Sequence, residues 1–167
     1  MTLENYNVDK LCKLVNYLQD KYKLQIIFEP GEAIVLNSGY LVTEVLDIIK
    51  NEKNIIIINS SASAHMPDVI EMPYRPVVTG SGLPNQKKYT YSIGGQTCLS
   101  GDFIGDYSFE NELKIGDPII FEDMAQYTIV KNTTFNGLNL PSIALLNSNN
   151  EINLIKQFGY CDFKSRL

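Results

Sequence analysis

Tyr89-Thr-Tyr-Ser-Ile-Gly-Gly-Gln-Thr-Cys98-Leu-Ser-Gly-Asp102 is a β-branched and aromatic run that halts on two glycines and then delivers a thiol and a carboxylate. Tyr, Thr and Ile suit a pleated, half-buried surface, so residues 88 to 93 read as a strand that the glycines end. Working outward, the same texture recurs at 40 to 50, 54 to 58, 118 to 122, 126 to 133, 142 to 147 and 151 to 156. Ile55-Ile-Ile-Ile58 is the longest apolar run, far short of the roughly 20 residues a membrane helix needs, and reads as a buried strand. Ser148-Asn-Asn150 is a hairpin turn, and Lys114-Ile-Gly-Asp117 turns the chain into Pro118-Ile-Ile-Phe121. Residues 39–167 are therefore expected to form a mainly β, antiparallel domain, a sandwich or barrel. Residues 79 to 88, a polar Gly-, Pro- and Lys-rich loop, are expected to be its most mobile part.

Residues 1–38 differ. Val8, Leu11, Cys12, Val15, Leu18 and Tyr22 recur at intervals of three and four, which predicts a helix over 8 to 22 with Cys12 as a small residue on its buried stripe. Lys23-Leu-Gln-Ile-Ile-Phe28 reads as a short strand stopped by Pro30 and Gly31. A helix followed by a strand ending in Glu-Pro-Gly is the form of the last unit of an α/β barrel. Active sites of such barrels lie at the C-terminal ends of their strands, which puts Glu29 at the chemistry.

The chain has 167 residues, 44% hydrophobic and 20% charged, enough for one ordinary core with an appendage. A formal charge of -5 argues against a nucleic-acid partner, because phosphate backbones call for clustered Lys and Arg. A cationic small molecule suits this balance better. Three cysteines, Cys12, Cys98 and Cys161, show no Cys-x-x-Cys spacing, and no signal-peptide pattern opens the chain, so a reducing, cytoplasmic setting is expected, with no membrane segment. His65 is the one histidine, and no metal site is expected around it.

Taken singly, the polar residues near the glycines admit plain structural readings. Glu29 reads as a solvated strand-end carboxylate, Asp68 as a turn residue after Pro67, and Cys98 as a packed thiol. Tyr127 reads as a sheet-face tyrosine and His65 as a hydrogen-bonding structural residue, each as well as a pocket contact.

A family resemblance changes their weight. Glu29-Pro-Gly-Glu32, Ala64-His-Met-Pro-Asp68-Val-Ile-Glu-Met-Pro-Tyr-Arg-Pro76, Gly94-Gly-Gln-Thr-Cys98-Leu-Ser-Gly-Asp102 and Tyr127 through Gly137 resemble the carboxynorspermidine (carboxyspermidine) decarboxylases. These are pyridoxal-phosphate enzymes of polyamine synthesis, of the alanine racemase-like fold (fold type III) shared with ornithine and diaminopimelate decarboxylases. The His-Met-Pro-Asp and Cys-Leu-x-Gly-Asp segments mark this branch; Glu-Pro-Gly and Phe-Asn-Gly mark the superfamily. The resemblance runs from about residue 2 to the C-terminus. It implies that residues 1–38 are a remnant of the cofactor-binding TIM barrel and residues 39–167 the C-terminal β domain.

The resemblance also implies roles. Glu29 faces the pyridine nitrogen of pyridoxal 5'-phosphate, and Tyr127 lies beside the cofactor. Cys98 returns a proton to carbon after decarboxylation, entering the pocket of the other subunit of a homodimer. Glu32 stands where ornithine and diaminopimelate decarboxylases carry Arg, and Leu99 where they carry an acid. Both changes suit a substrate with several ammonium groups, for which Glu32, Asp68, Asp102 and His65 are the expected contacts. Asn59 replaces an expected Asp, and Cys161 is read as a packing residue.

The family's Schiff-base lysine and glycine-rich phosphate loop have no counterpart here, since no Lys stands in a matching context and Met1-Thr2 aligns just after that loop. The expectation is a truncated or split decarboxylase acting on carboxynorspermidine or carboxyspermidine, unable alone to hold the cofactor covalently or release carbon dioxide. The competing expectations are a non-catalytic module that binds a full-length decarboxylase, and a decarboxylase for another diamino acid.

Overall fold

The computed structural model describes residues 7–167, so Met1-Thr2, where the resemblance begins, lie outside it. The chain forms two compact units, one ending at Leu36 and one running from Asn37 to Leu167.

In the first unit, helix α1 (Val8–Tyr22) has the bounds the periodicity predicts. Asn7 caps it by accepting the Lys10 N–H at 3.0 Å, and Lys23 stops it in the left-handed region at φ 53°. None of its side chains is buried, and Cys12 is exposed. This corrects the reading of Cys12 as a core residue: a stripe is buried only where a partner surface covers it. Residues 24–30 form no strand, because a barrel strand exists only through ladders to its neighbours. Glu29 is exposed in that segment, and Glu32 opens the one-turn helix α2 (Glu32–Val35).

The second unit begins with a hairpin. β1 (Tyr40–Asn51) turns at Glu52, φ 46°, into β2 (Lys53–Ile58). One-turn helices α3 (Ala62–His65) and α4 (Asp68–Glu71) follow, then β3 (Tyr89–Gly94), β4 (Phe103–Phe109) and β5 (Pro118–Glu122). These make one five-stranded sheet in the order β4-β3-β2-β1-β5. The isoleucine run is its middle strand, with Ile56 and Ile58 fully buried beside Val45 and Ile93. Burying each such side chain contributes roughly 1.5–3 kcal/mol, which makes this strand the axis of the core. Leu41, Tyr107, Ile119 and Phe121 belong to the same core.

After β5 come the one-turn helix α5 (Tyr127–Val130), a 3-10 turn (Phe135–Gly137), the antiparallel pair β6 (Ile143–Leu146) and β7 (Ile152–Lys156), and α6 (Tyr160–Lys164). Asn150 supplies the left-handed residue of the hairpin at φ 62°, as the Ser-Asn-Asn turn predicts. Cys161, expected to be a packing residue, is exposed on α6.

The mainly β character matches the sequence reading, with four corrections. The predicted strand at 126 to 133 is α5 followed by irregular chain, and β4 has no counterpart among the predicted strands. β2 and β3 run parallel, an exception to the antiparallel expectation, joined by the 59–88 crossover. The 79 to 88 loop is fastened rather than loose. Gly82 exchanges both backbone hydrogen bonds with Ser108, at 2.8 and 3.2 Å, and Arg75 Nη2 donates to the Gly82 carbonyl at 2.8 Å. The Arg75 guanidinium is itself seated 3.8 Å from the centre of the buried Tyr107 ring.

Candidate functional site

Because β2 and β3 are parallel neighbours, their C-terminal ends leave the sheet side by side. The segment after β2, Asn59 through Glu71, therefore meets the Gly95–Asp102 loop after β3, which is closed at its base by the Gly95 N–H donating to the Asp102 carbonyl at 2.9 Å. Asp102 makes the junction. Its carboxylate accepts from the Ser61 hydroxyl at 2.9 Å, from the Ala62 and Ser63 N–H groups at 2.7 and 3.2 Å, and from the Thr97 N–H and hydroxyl at 2.9 and 2.7 Å. Two of those donors are the free N–H groups that open α3, which no intrahelical carbonyl can satisfy. Asp102, expected as a contact for a ligand amine, is here a buried carboxylate that accepts from five protein donors and anchors two loops.

Gly95 is required by that anchor, since a Cβ there would stand 2.3 Å from Asp102 Oδ2. Cys98 follows the anchored Thr97 and is exposed on the loop Asp102 holds, where a thiol can reach a ligand. Ser63 and Thr97 share a further hydrogen bond at 3.1 Å, tying the thiol loop to α3 directly.

His65 ends α3, is 2% exposed, and places Nδ1 3.1 Å from the Ser60 hydroxyl. Desolvation lowers its pKa below the ordinary imidazole value, only partly opposed by the Asn139 backbone and the Asp102 charge. A neutral folded-state imidazole sets the sign of a pH effect. Above the unfolded pKa, about 6.5, both states are neutral and the full stability is present. Below it the unfolded chain takes up a proton that the folded chain refuses, so stability falls until the lowered folded pKa is reached. Urea unfolding between about pH 7.5 and 5 is expected to show this loss, and His65→Gln is expected to flatten the curve.

The third segment is the chain after β5. Thr133 N–H donates to the Ala64 carbonyl at 2.9 Å, laying residues 127–137 along α3 and α4. Tyr127, expected on a strand, opens α5 and is 51% exposed, so much of its ring is uncovered. Four residues on, Lys131 Nζ lies 5.7 Å from the centre of that ring, 2.5 Å from Asp68 Oδ1, and against Glu71 Oε2. The two carboxylates, Asp68 first, raise the lysine pKa and keep it charged.

Five of the residues singled out in the sequence, His65, Asp68, Cys98, Asp102 and Tyr127, thus belong to three hydrogen-bonded segments of one unit. Glu29 and Glu32 belong to the other unit. Sequence reasoning missed Lys131, Glu71 and Thr97. Ser61 caps α3 by accepting the Ala64 N–H at 3.1 Å, a local signal the sequence reading passed over, while no local pattern announces an ion pair between Asp68 and Lys131, 63 residues apart. Asn59 serves β1, accepting from the Thr43 hydroxyl at 2.6 Å and the Glu44 N–H at 2.9 Å. Among the described residues no group of three or more His, Cys, Asp or Glu could hold a metal ion, and no helix is long and apolar enough to cross a membrane.

The parallel ends of β2 and β3 thus carry an anchored loop with an exposed thiol. The chain belongs to the pyridoxal-dependent decarboxylases, whose C-terminal sheet domain matches residues 6–125. Within that class it is similar to the carboxynorspermidine/carboxyspermidine decarboxylase of Campylobacter jejuni, at 45% identity over 99% of this chain and 46% of the relative. The carboxyaminopropylagmatine decarboxylase of Synechocystis is 43% identical, over 100% of this chain and 44% of the relative. The crystal structure of Campylobacter jejuni carboxynorspermidine decarboxylase complexed with norspermidine superposes with a TM-score of 0.91 at 44% identity, covering 99% of this chain and 48% of that one. The chain thus spans less than half the length of these relatives. Tyr127 leaves a flat aromatic face uncovered and Cys98 an exposed thiol, groups that a pyridine ring could rest against or draw a proton from.

Proposed function

We propose that this chain supplies the sheet-domain half of a decarboxylase for amino acids built on a polyamine, with carboxynorspermidine and carboxyspermidine as the leading substrates. The observation that carries the reading is the Asp102 junction, which fastens the Cys98 loop to α3 and leaves its thiol exposed, free to enter the pocket of a second subunit. Bound pyridoxal phosphate supplies an electron sink for the pair left on carbon when carbon dioxide departs.

The chain's own residues do the rest. Cys98 donates its thiol proton to that carbon, and Tyr127 offers its ring as a wall for the cofactor. Glu29 faces the ring nitrogen and keeps it protonated. Asp68 and Glu32 pair with ammonium groups along the substrate, which neutral or cationic side chains at those positions would ignore or repel. Leu99 and Glu32, in place of the acid and arginine of ornithine and diaminopimelate decarboxylases, favour the longer polyamine over those diamino acids. Asp102 and His65 act as positioning residues, the first through Thr97 and Ser61, the second through Ser60. A homodimer in which Cys98 serves the pocket of the other subunit, in the cytoplasm, completes the reading.

The experiment is a chimera in which this chain replaces the matching 46% of the Campylobacter jejuni relative. Release of carbon dioxide from carboxynorspermidine, with ornithine and diaminopimelate far poorer, is the expected result. A folded, cofactor-loaded chimera without activity would favour the module that only binds a full-length decarboxylase. The chain by itself is expected to hold no lysine-linked cofactor, which absorbance and mass measurement after incubation with pyridoxal phosphate would check.

A further inference from the structure

α4 and α5 are joined through one ammonium. Lys131 Nζ rests on Asp68 Oδ1 at 2.5 Å and on Glu71 Oε2, with the Tyr127 ring centre 5.7 Å away. Two carboxylates and an aromatic face form a receptor for a primary alkylammonium, and a lysine side chain is a butylammonium on a tether. The surroundings are also incomplete in a way the sheet is not. Gln126 Nε2 and Asn132 Oδ1, buried atoms without a hydrogen-bond partner among the described residues, flank α5.

We propose that Lys131 is an autoinhibitory ammonium that occupies, in the unliganded chain, the place at Asp68 and Glu71 taken by a terminal ammonium of the polyamine ligand. The inference rests on the reading of Asp68 as an amine contact. Lysine and ligand then compete for the same two carboxylates, and ligand binding releases Lys131 to solvent. Its side chain is 34% exposed, so the way out is open. Release also frees the α5 turn from α4, leaving the Thr133–Ala64 hydrogen bond to hold Tyr127 near α3. Selection follows from charge. The cluster carries two negative charges against one from Lys131, so a ligand bearing several ammonium groups displaces the lysine more readily than a monoamine does. A receptor that is free for only a small fraction of the time binds its ligand more weakly by that fraction.

Calorimetric titration of norspermidine into the chain at low salt tests this. Lys131→Met is expected to bind norspermidine at least about tenfold tighter than the unaltered chain, which corresponds to a free fraction of about a tenth or less. Lys131→Arg is expected to stay weak, and Asp68→Asn placed on Lys131→Met is expected to cancel the gain. Should the methionine variant fail to fold, the 15N resonance of the Lys131 amine in the unaltered chain replaces it. Norspermidine is expected to shift that resonance toward the value of a solvated lysine. If Lys131→Met binds no tighter, or the resonance does not move, while Asp68→Asn still weakens binding, the competition is overturned and the amine-contact reading survives. If Asp68→Asn leaves binding unchanged in both backgrounds, that reading fails and the inference falls with it.

Discussion

Asp102→Ala is expected to remove about 3–5 kcal/mol of folding stability, the loss typical of taking one partner out of a buried, charge-assisted hydrogen-bond network. The carboxylate is buried and accepts from Ser61, Ala62, Ser63 and Thr97, with Thr97 contributing both its N–H and its hydroxyl. Without it the N–H groups opening α3 have no acceptor in the protein, and the loop bearing Cys98 loses its attachment to the crossover. Asp102→Asn keeps the shape but turns an NH2 group toward a set of donors, so a smaller loss in the same direction is expected. Gly95→Ala reaches the same junction by another route, because its Cβ at 2.3 Å from Oδ2 forces the carboxylate aside. Urea midpoints measure all three. Amide exchange is expected to quicken at 61–65 and 97–102 together, because one side chain fastens both. A loss below about 1 kcal/mol in Asp102→Ala, with exchange unchanged in either segment, would show that the two loops are held by something else.

The second large effect belongs to Cys98. In the decarboxylating chimera, Cys98→Ala is expected to lower kcat by about 100- to 10,000-fold, the range for losing a positioned proton donor. KM is expected to change little, because in the proposed reading the thiol acts on the carbon centre and the carboxylates hold the amines. Cys12→Ala and Cys161→Ala are the matched controls: both thiols are exposed, yet neither is on the loop Asp102 anchors. A fall of less than about tenfold in Cys98→Ala would move the proton-donor role to another group. Equal falls in all three would point to a general effect of cysteine removal.

How much of this was legible in the residues varies with the range of the interactions involved. The helix at 8–22 was readable to its ends because its apolar periodicity lies within one stretch of chain. The β1 to β2 hairpin, β5 and the 143–156 pair were readable for the same reason, as alternating or apolar runs set off by turn residues. Strand β4 was hidden, since Phe103-Ile-Gly-Asp-Tyr-Ser-Phe109 carries a glycine and an aspartate in a run otherwise fit for a sheet. The strand read into 126 to 133 failed in the opposite way: β-favouring residues without a neighbouring strand take the one-turn helix instead.

The candidate site divides along the same line. Family-type motifs marked Glu29, Asp68, Cys98 and Tyr127 as residues worth attention, and local pattern by itself determined the mainly β character and the isoleucine strand at its centre. Only the tertiary structure decided that β2 and β3 run parallel, so that Ala62 and Asp102, 40 residues apart, meet and the carboxylate becomes a clasp between their segments. Only it brought Lys131 onto Asp68 and Glu71. The physical reason is range: helix periods, caps and turns act between residues a few places apart, whereas strand pairing and buried charge are settled by whichever distant segments the whole sheet brings into contact.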